Sequence, residues 1–350
     1  MIAPDTVLVL TGRLDATADL VITELDRRDV PVFRCDPADF PDRLALSATF
    51  DGAGGWTGTL RTPYRSVELD RIVGAYHRRP GRIAVRTGGA DGTPAQSPAT
   101  AGAPGRGPDA GHTAGPDDAG TSGADEWATA EARGGFGGLL RAVPRWLNDP
   151  GRMEHAEYKP VQLAAAARAG LATPRTLITT DPAAAREFVA GLPRAVYKPF
   201  RGSLPSAGGT RFIYTSPITA AEIDDSVRYT AHQFQEWIDK EHEVRLTVVG
   251  NRYFAARLTA RSDDARLDWR SDYDAVDYAI AEVPDGVRAA VAAMLADLGL
   301  RFAAMDFVVR PDGRWYFLDL NPNGQWGWIE HHTGLPICAA IADTLTGCVG

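Results

Sequence analysis

The chain has 350 residues, 37 Lys and Arg against 45 Asp and Glu for a formal net charge of −8, and a hydrophobic fraction of 44%, which is material for two or three globular domains at about 150 residues each. This acidic balance excludes the diffuse basic attraction that draws proteins to phosphate backbones or anionic lipid, so no nucleic acid and no membrane surface is expected among the partners. Cys35, Cys338 and Cys348 lack the spacing of a zinc site or redox pair, no window reaches the about 18 apolar residues of a membrane span, and the start lacks a basic signal segment, so a reducing cytoplasm is expected.

Residues 7–12 (VLVLTG) read as a buried strand, 16–28 carry helical periodicity, and 30–35 are again strand-like. This βαβ order predicts that a parallel sheet opens the protein. Another strand is predicted at 71–77, ending in Arg78-Arg79-Pro80. From 87 to 124 the composition changes: 24 of 38 residues are Gly, Ala or Pro and none is a large apolar residue. Such a stretch cannot offset its ordering entropy by burial and reads as a flexible insertion into the first domain. Helical periodicity resumes over 127–140. A helix is predicted over 154–169, with Gly170 past its end, and a second at 182–190. Strands are predicted at 175–179, 194–199, 210–214, 231–237, 243–249 and 252–259. A helix at 284–298, a hairpin of 301–310 with 314–320, and a closing helix from about 335 complete the chain.

The hairpin carries the sharpest chemical signal. Asp319 and Asn321 are two apart and project from one face of a strand. A two-residue turn at Asp312-Gly313 puts Asp306 opposite Asp319. Two facing carboxylates in apolar sequence repel unless a cation lies between them, and a divalent metal with oxygen ligands serves that purpose. The other reading turns Asp319 to solvent and makes Asn321-Pro322 a strand-ending turn. Lys159 starts an Ala-rich helix, and Lys198 ends an apolar strand before RGSLPSAGGT, a loop whose backbone N–H groups, at Gly208 and Gly209 among them, could cover phosphate. No G-K-[ST] occurs, so this is not a Walker A loop, and each lysine taken singly also suits an ordinary surface position. In FQEWIDKEHEVRLTVVGN a strand end could present backbone groups to an adenine edge. Glu243 and Arg245 share a face of the next strand, where a solvated face is the alternative.

In this order the pieces resemble an ATP-grasp ligase, and more closely the graspetide, or microviridin-type, peptide maturases, including their actinobacterial omega-ester group. The motifs that carry the resemblance are YHRRP (76–80), WLNDP (146–150), AEYKPVQL (156–163), PRTLITTD (174–181), HEVRLTVVGN (242–251) and FLDLNPNGQWGWIE (317–330). The last is the most specific. The resemblance implies an α/β ATP-grasp fold in three parts: an N-terminal pre-ATP-grasp βαβ domain over 1–145, a central helix/sheet part over 146–240 with a Gly-rich loop at 201–210, and a C-terminal part over 241–350 with the metal hairpin.

It also implies roles. Lys159 and Lys198 bind the phosphates of ATP with Gly208 and Gly209, Gln235, Glu236, Trp237 and Ile238 hold adenine, and Glu243 holds the ribose. Asp306, Asp319 and Asn321 hold Mg²⁺, and Arg245 and Arg270 are the catalytic cations. The family usually has Glu at the position of Asp319, and this departure bears on how the metal is held. The implied reaction activates side-chain carboxylates of a precursor peptide, with leader and Thr/Asp/Glu-rich core, as acyl phosphates and closes macrolactones or macrolactams. Further implied partners are a methyltransferase acting on the same peptide and a second copy in a homodimer. Two other readings stay open: a glutathione-synthetase-like ligase joining a free amine or amino acid to a carboxylate, and a nucleotide-binding protein without catalysis.

Overall fold

The structure is a computed structural model that describes residues 4–52, 55–87, 122–200, 203–206 and 209–347. The chain divides into two compact units, Met1–Ala18 with Leu25–Trp146, and Asp19–Glu24 with Leu147–Gly350.

In the first unit β1 (Thr6–Thr11), α1 (Ala16–Arg27) and β2 (Val32–Cys35) form the expected βαβ element, with Asp15 capping α1 through a 2.9 Å bond from Ala18 N. Three strands that the sequence did not announce follow: β3 (Ala45–Phe50), β4 (Trp56–Arg61) and β5 (Ser66–Glu68) make an antiparallel meander. β6 (Ile72–Arg78) returns parallel to β1, then come α2 (Gly123–Leu140) and the short β7 (Trp146–Leu147), for a sheet order β2-β1-β6-β7. Most of the insertion, 88–121, lies outside the described residues. Its flanks are close: Thr87 donates to Asp125 Oδ1 from both its amide (2.6 Å) and its hydroxyl (2.8 Å). α2 therefore starts inside the stretch assigned to the insertion, because Ser122 is a good N-cap and accepts from Asp125 N.

The second unit opens with a correction. The single helix predicted over 154–169 is two, α3 (Pro150–Ala156) and α4 (Lys159–Arg168). Pro160 lacks an N–H and clashes with the preceding turn, so it begins a helix rather than continuing one. Next come β8 (Thr176–Thr179), α5 (Pro182–Ala190), β9 (Ala195–Lys198), β10 (Ser203–Ser206), β11 (Gly209–Phe212), β12 (Ser216–Ile218) and β13 (His232–Glu236). Strands β12-β9-β13-β8 form a four-stranded antiparallel sheet packed on α5 through Ala185, Val189 and Phe234. A five-stranded antiparallel sheet, β16-β15-β14-β17-β18, comprises β14 (His242–Val249), β15 (Arg252–Ala260), β16 (Val276–Ile280), β17 (Phe302–Val309) and β18 (Trp315–Asn321), with α6 (Asp263–Leu267) and α7 (Asp285–Leu298) between strands. Its core sets Leu246, Met305, Phe307 and Phe317 against α4 and α7. The closing helix is α9 (Ile337–Thr346), and a short helix that the sequence did not announce, α8 (Gly327–Thr333), precedes it across Gly334 in the left-handed region and Pro336.

The hairpin register comes out as predicted, but by a different route. Arg310 N donates to Arg314 O and Gly313 N to Arg310 O, so the turn has three residues, Pro311-Asp312-Gly313, with Gly313 at φ 80°. The longer turn slips the pairing by one residue. Leu318, an extra residue in β18, slips it back, so that Asp306 faces Asp319 while Phe307 faces Phe317.

Candidate active site

Three residues abreast on adjacent strands set the electrostatics. Arg245 of β14 pairs in register with Asp306 of β17, which pairs with Asp319 of β18. Arg245 Nη1 donates to Asp306 Oδ1 at 2.8 Å, and Arg270 Nη2 binds Asp306 Oδ2. Lys159 Nζ donates to Asp319 Oδ1 at 2.8 Å. The positioning is local. Gln162, one turn into α4, donates to Ala156 O and Leu320 O and accepts from Leu320 N (2.8, 2.8 and 3.0 Å), which ties the start of α4 to β18 beside Asp319. Asn148 bridges the start of β17 to the end of β18: it accepts from Arg301 N and Phe302 N and donates to Phe302 O and Pro322 O. Arg270 lies in a 3₁₀ turn capped by Asp268, whose Oδ1 accepts from Arg270 N at 3.1 Å.

Burial alone would raise the Asp306 carboxyl, but the Arg245 and Arg270 guanidiniums overcome it and hold the group below the usual carboxylate range. Burial works against the charge of Arg270 as well, yet Asp306 and Asp268 keep it firmly protonated. Glu243 moves the other way: burial pushes its carboxyl up, although Lys240 binds it. Lys198 is pushed down to about 8, chiefly by burial, which Asp319 opposes and which the neighbouring charges of Lys159 and Arg270 reinforce.

These groups open into a cleft of about 540 Å³. Lys159, Lys198, Gln235, Glu236, Trp237, Ile238, Glu243, Arg270, Asp306, Asp319 and Asn321 all line it, so most of the predicted site residues converge on one space. Arg245 does not line it. It is 4% exposed behind Asp306, where it positions that carboxylate instead of facing a ligand, because its partner on the adjacent strand draws the guanidinium inward. At the adenine wall the amides of Glu236 and Trp237 are donated to the carbonyls of Arg175 (2.9 Å) and Arg194 (3.0 Å), so of the expected backbone groups these two N–H groups are already used. Gly208 lies outside the described residues, and Gly209 begins β11. Asp268, Lys240, Gln162 and Asn148 were missed. Asn148, Gln162 and Lys240 stand in segments quoted above, WLNDP, AEYKPVQL and FQEWIDKEHEVRLTVVGN, and a polar residue inside such a segment is the signal that would have found them.

No helix among the described residues is long and apolar enough to cross a membrane. The fold is that of the ATP-grasp ligases. Its likeness lies with ligases of ribosomally made peptides. A RiPP-associated ATP-grasp ligase from Chryseobacterium gregarium, solved with ADP and a leader and core peptide, superposes with a TM-score of 0.80 at 25% identity over 99% of this chain and 98% of that one. The macrocyclase MdnB from Microcystis aeruginosa MRC gives 0.71 at 28% identity over 98% and 99%. MdnC of the same organism, solved with its precursor peptide MdnA, has a TM-score of 0.76 at 22% identity over 98% and 99% and shares the fold. No family model and no curated protein matches the chain.

Proposed function

We propose that this chain is an ADP-forming macrocyclase of the graspetide type, which activates Asp or Glu side chains of a ribosomally made precursor peptide and joins them to Thr, Ser or Lys of the same peptide. One observation carries the reading: a single cleft gathers Lys159, Lys198 and Arg270 around the facing carboxylates Asp306 and Asp319, on a chain that aligns over 99% of its length with a ligase solved with ADP and peptide.

Lys159 and Lys198 supply positive charge for a triphosphate. The buried Glu243 accepts from ribose hydroxyls, and the 235–238 strand end borders adenine. Asp306, Asp319 and Asn321 present oxygen donors from facing strands, with two carboxylates, a set that suits Mg²⁺. When bound there, the ion would neutralise charge on the phosphates. The peptide carboxylate attacks the γ-phosphorus and ADP departs, leaving an acyl phosphate. A hydroxyl or amine of the same peptide then attacks the acyl carbon and phosphate departs. Arg270 faces the cleft and stabilises negative charge on the transferred group, while Arg245 keeps Asp306 ionised and in place. No protein nucleophile is needed, since phosphorylation itself creates the leaving group.

The peptide is held by its leader away from the reacting centre, so that remote binding energy orients the core. The reading extends to the three-part division at 146 and 241, to a cytoplasmic setting, to a homodimer, and to a methyltransferase working on the same peptide. Incubation with ATP, Mg²⁺ and a ribosomally made peptide with a leader and a Thr/Asp/Glu-rich core tests it. Loss of one water mass per ring, with one ADP formed for each, is expected. A mass gain from an added amine would make it a free-amine ligase, and nucleotide binding without turnover a non-catalytic protein.

A further inference from the structure

The segment that leaves β18, Asn321 to Trp328, reaches the two arginines that hold Asp306 by separate routes, Arg245 directly and Arg270 through Trp269. On one side Arg245 Nη2 donates to the Gln325 carbonyl at 3.0 Å. The backbone can come this close only because residue 324 is glycine. A Cβ there would stand 2.4 Å from Ala304 Cβ, 2.9 Å from Arg245 Nη2 and 3.0 Å from Asn321 Cβ. On the other side Trp328, in the first turn of α8, lies against Trp269 with ring centroids 5.0 Å apart, and the Arg270 guanidinium sits 4.6 Å above the same Trp269 ring. Between them Trp326 is fully buried and anchors the segment.

We propose that Asn321–Trp328 is a positioning element that sets the two guanidiniums on Asp306, with Gly324 seating Arg245 and Trp328 seating Arg270 through Trp269. The inference rests on the ligase reading for its effect on rate, but not for its geometry. Buried ion pairs of this kind are worth their desolvation only when the geometry is held, and a displacement of about 1 Å at a reacting centre costs up to about a hundredfold in rate. The segment also leaves its own mark on the hairpin, since a shift at residue 324 pushes on Asn321.

The test crosses two substitutions with two readouts. Exchange of the Nε–H of Arg245 and Arg270, followed by NMR on arginine-labelled protein, needs no turnover. Trp328→Ala should speed exchange at Arg270 about tenfold and leave Arg245 unmoved, whereas Gly324→Ala should do the reverse. With ATP, Mg²⁺ and precursor peptide, both variants should lose about tenfold or more in kcat while the Kd for ADP stays within about twofold, and Trp328→Phe, which restores a ring, should recover to within about threefold of the parent. Equal loosening of both arginines by either variant, or unchanged exchange in both, overturns the proposal. So does a Trp328→Phe protein as impaired as Trp328→Ala. Variants that show the crossed exchange pattern beside a parent that processes no peptide instead refute the ligase reading and leave the positioning element standing.

Discussion

The two larger sheets of the second unit handle buried charge in opposite ways. In the five-stranded sheet all eight residues of β17 are buried, Asp306 among them, and the charges form a row in which each carboxylate meets a cation at hydrogen-bond distance. In the four-stranded sheet the strands have three to five residues, and Lys198 at the end of β9 has no ion pair within 4.0 Å among the described residues. The consequence is visible in their proton affinities: Asp306 stays ionised below the usual carboxylate range, while Lys198 falls to about 8. The first sheet is an electrostatic framework, its carboxylates paired by Arg245 within it and by Lys159 and Arg270 from elements beside it. The second holds a charge, Lys198, without such a partner among the described residues.

Asp306→Ala should break this contrast most severely. It strands the buried Arg245 without its counterion and leaves the partly exposed Arg270 with Asp268 alone, at about 3–5 kcal/mol of stability for the Arg245 pair, and it removes a carboxylate from the cleft, at about a hundredfold or more in rate. Urea unfolding together with peptide turnover measures both, and parental stability would mean the row is not a framework. Lys198→Met should separate the two properties, with a rate loss of similar size but undiminished stability. The sign follows from linkage. Because the folded pKa lies below the unfolded value of 10.5, the unfolded chain binds the proton more tightly between about 8 and 10.5. Ionised Lys198 is therefore a cost to folding at neutral pH that the methionine lacks. A lowered Tm would show that Lys198 belongs to the framework after all.

A smaller effect sharpens the same point without mutation. A polyanion favours protonated Lys198, so nucleotide affinity should be flat below about pH 8 and should fall above it, by no more than tenfold per pH unit, with proton uptake on binding. Calorimetry of ADP binding at high pH in buffers of different ionisation enthalpy reads the uptake directly. Buffer-independent heats would place the completing charge elsewhere.

The sequence made the two sheets unequally legible as well. Long buried strands with period-two polar insertions announced β14, β17 and β18, and the facing of Asp306 and Asp319 was foreseen. That register was right because two local departures cancel, and neither a three-residue turn nor the extra Leu318 leaves a mark in the hydrophobic pattern. The meander β3–β5 went unseen because most of its residues are exposed or half-buried and mixed in character, without the clean alternation that signals a strand. The inward turn of Arg245 and the bridging amides of Gln162 and Asn148 depend on neighbours more than 60 residues away in the chain. Residue types at local spacing carry no record of such contacts.

The smallest expected effect serves as a control from outside both sheets. Replacing residues 88–121 by a short Gly-Ser linker should leave both stability and peptide turnover within about a few-fold of the parent. The flanks do not depend on the insertion to meet, since Thr87 is bonded twice to Asp125, Val85 N donates to Thr129 Oγ1, and Arg133 donates to Ile83 O. Loop-closure entropy changes by only about 0.6 kcal/mol for each doubling of length, so a shorter connection is at worst neutral for the fold. The segment also contains no large apolar side chain with which to add to the core of the first unit. If the linker variant unfolds at the parental urea concentration and binds ADP with parental affinity but turns over peptide poorly, the insertion acts in peptide capture. The framework in the five-stranded sheet would then be necessary for the reaction without being sufficient for it.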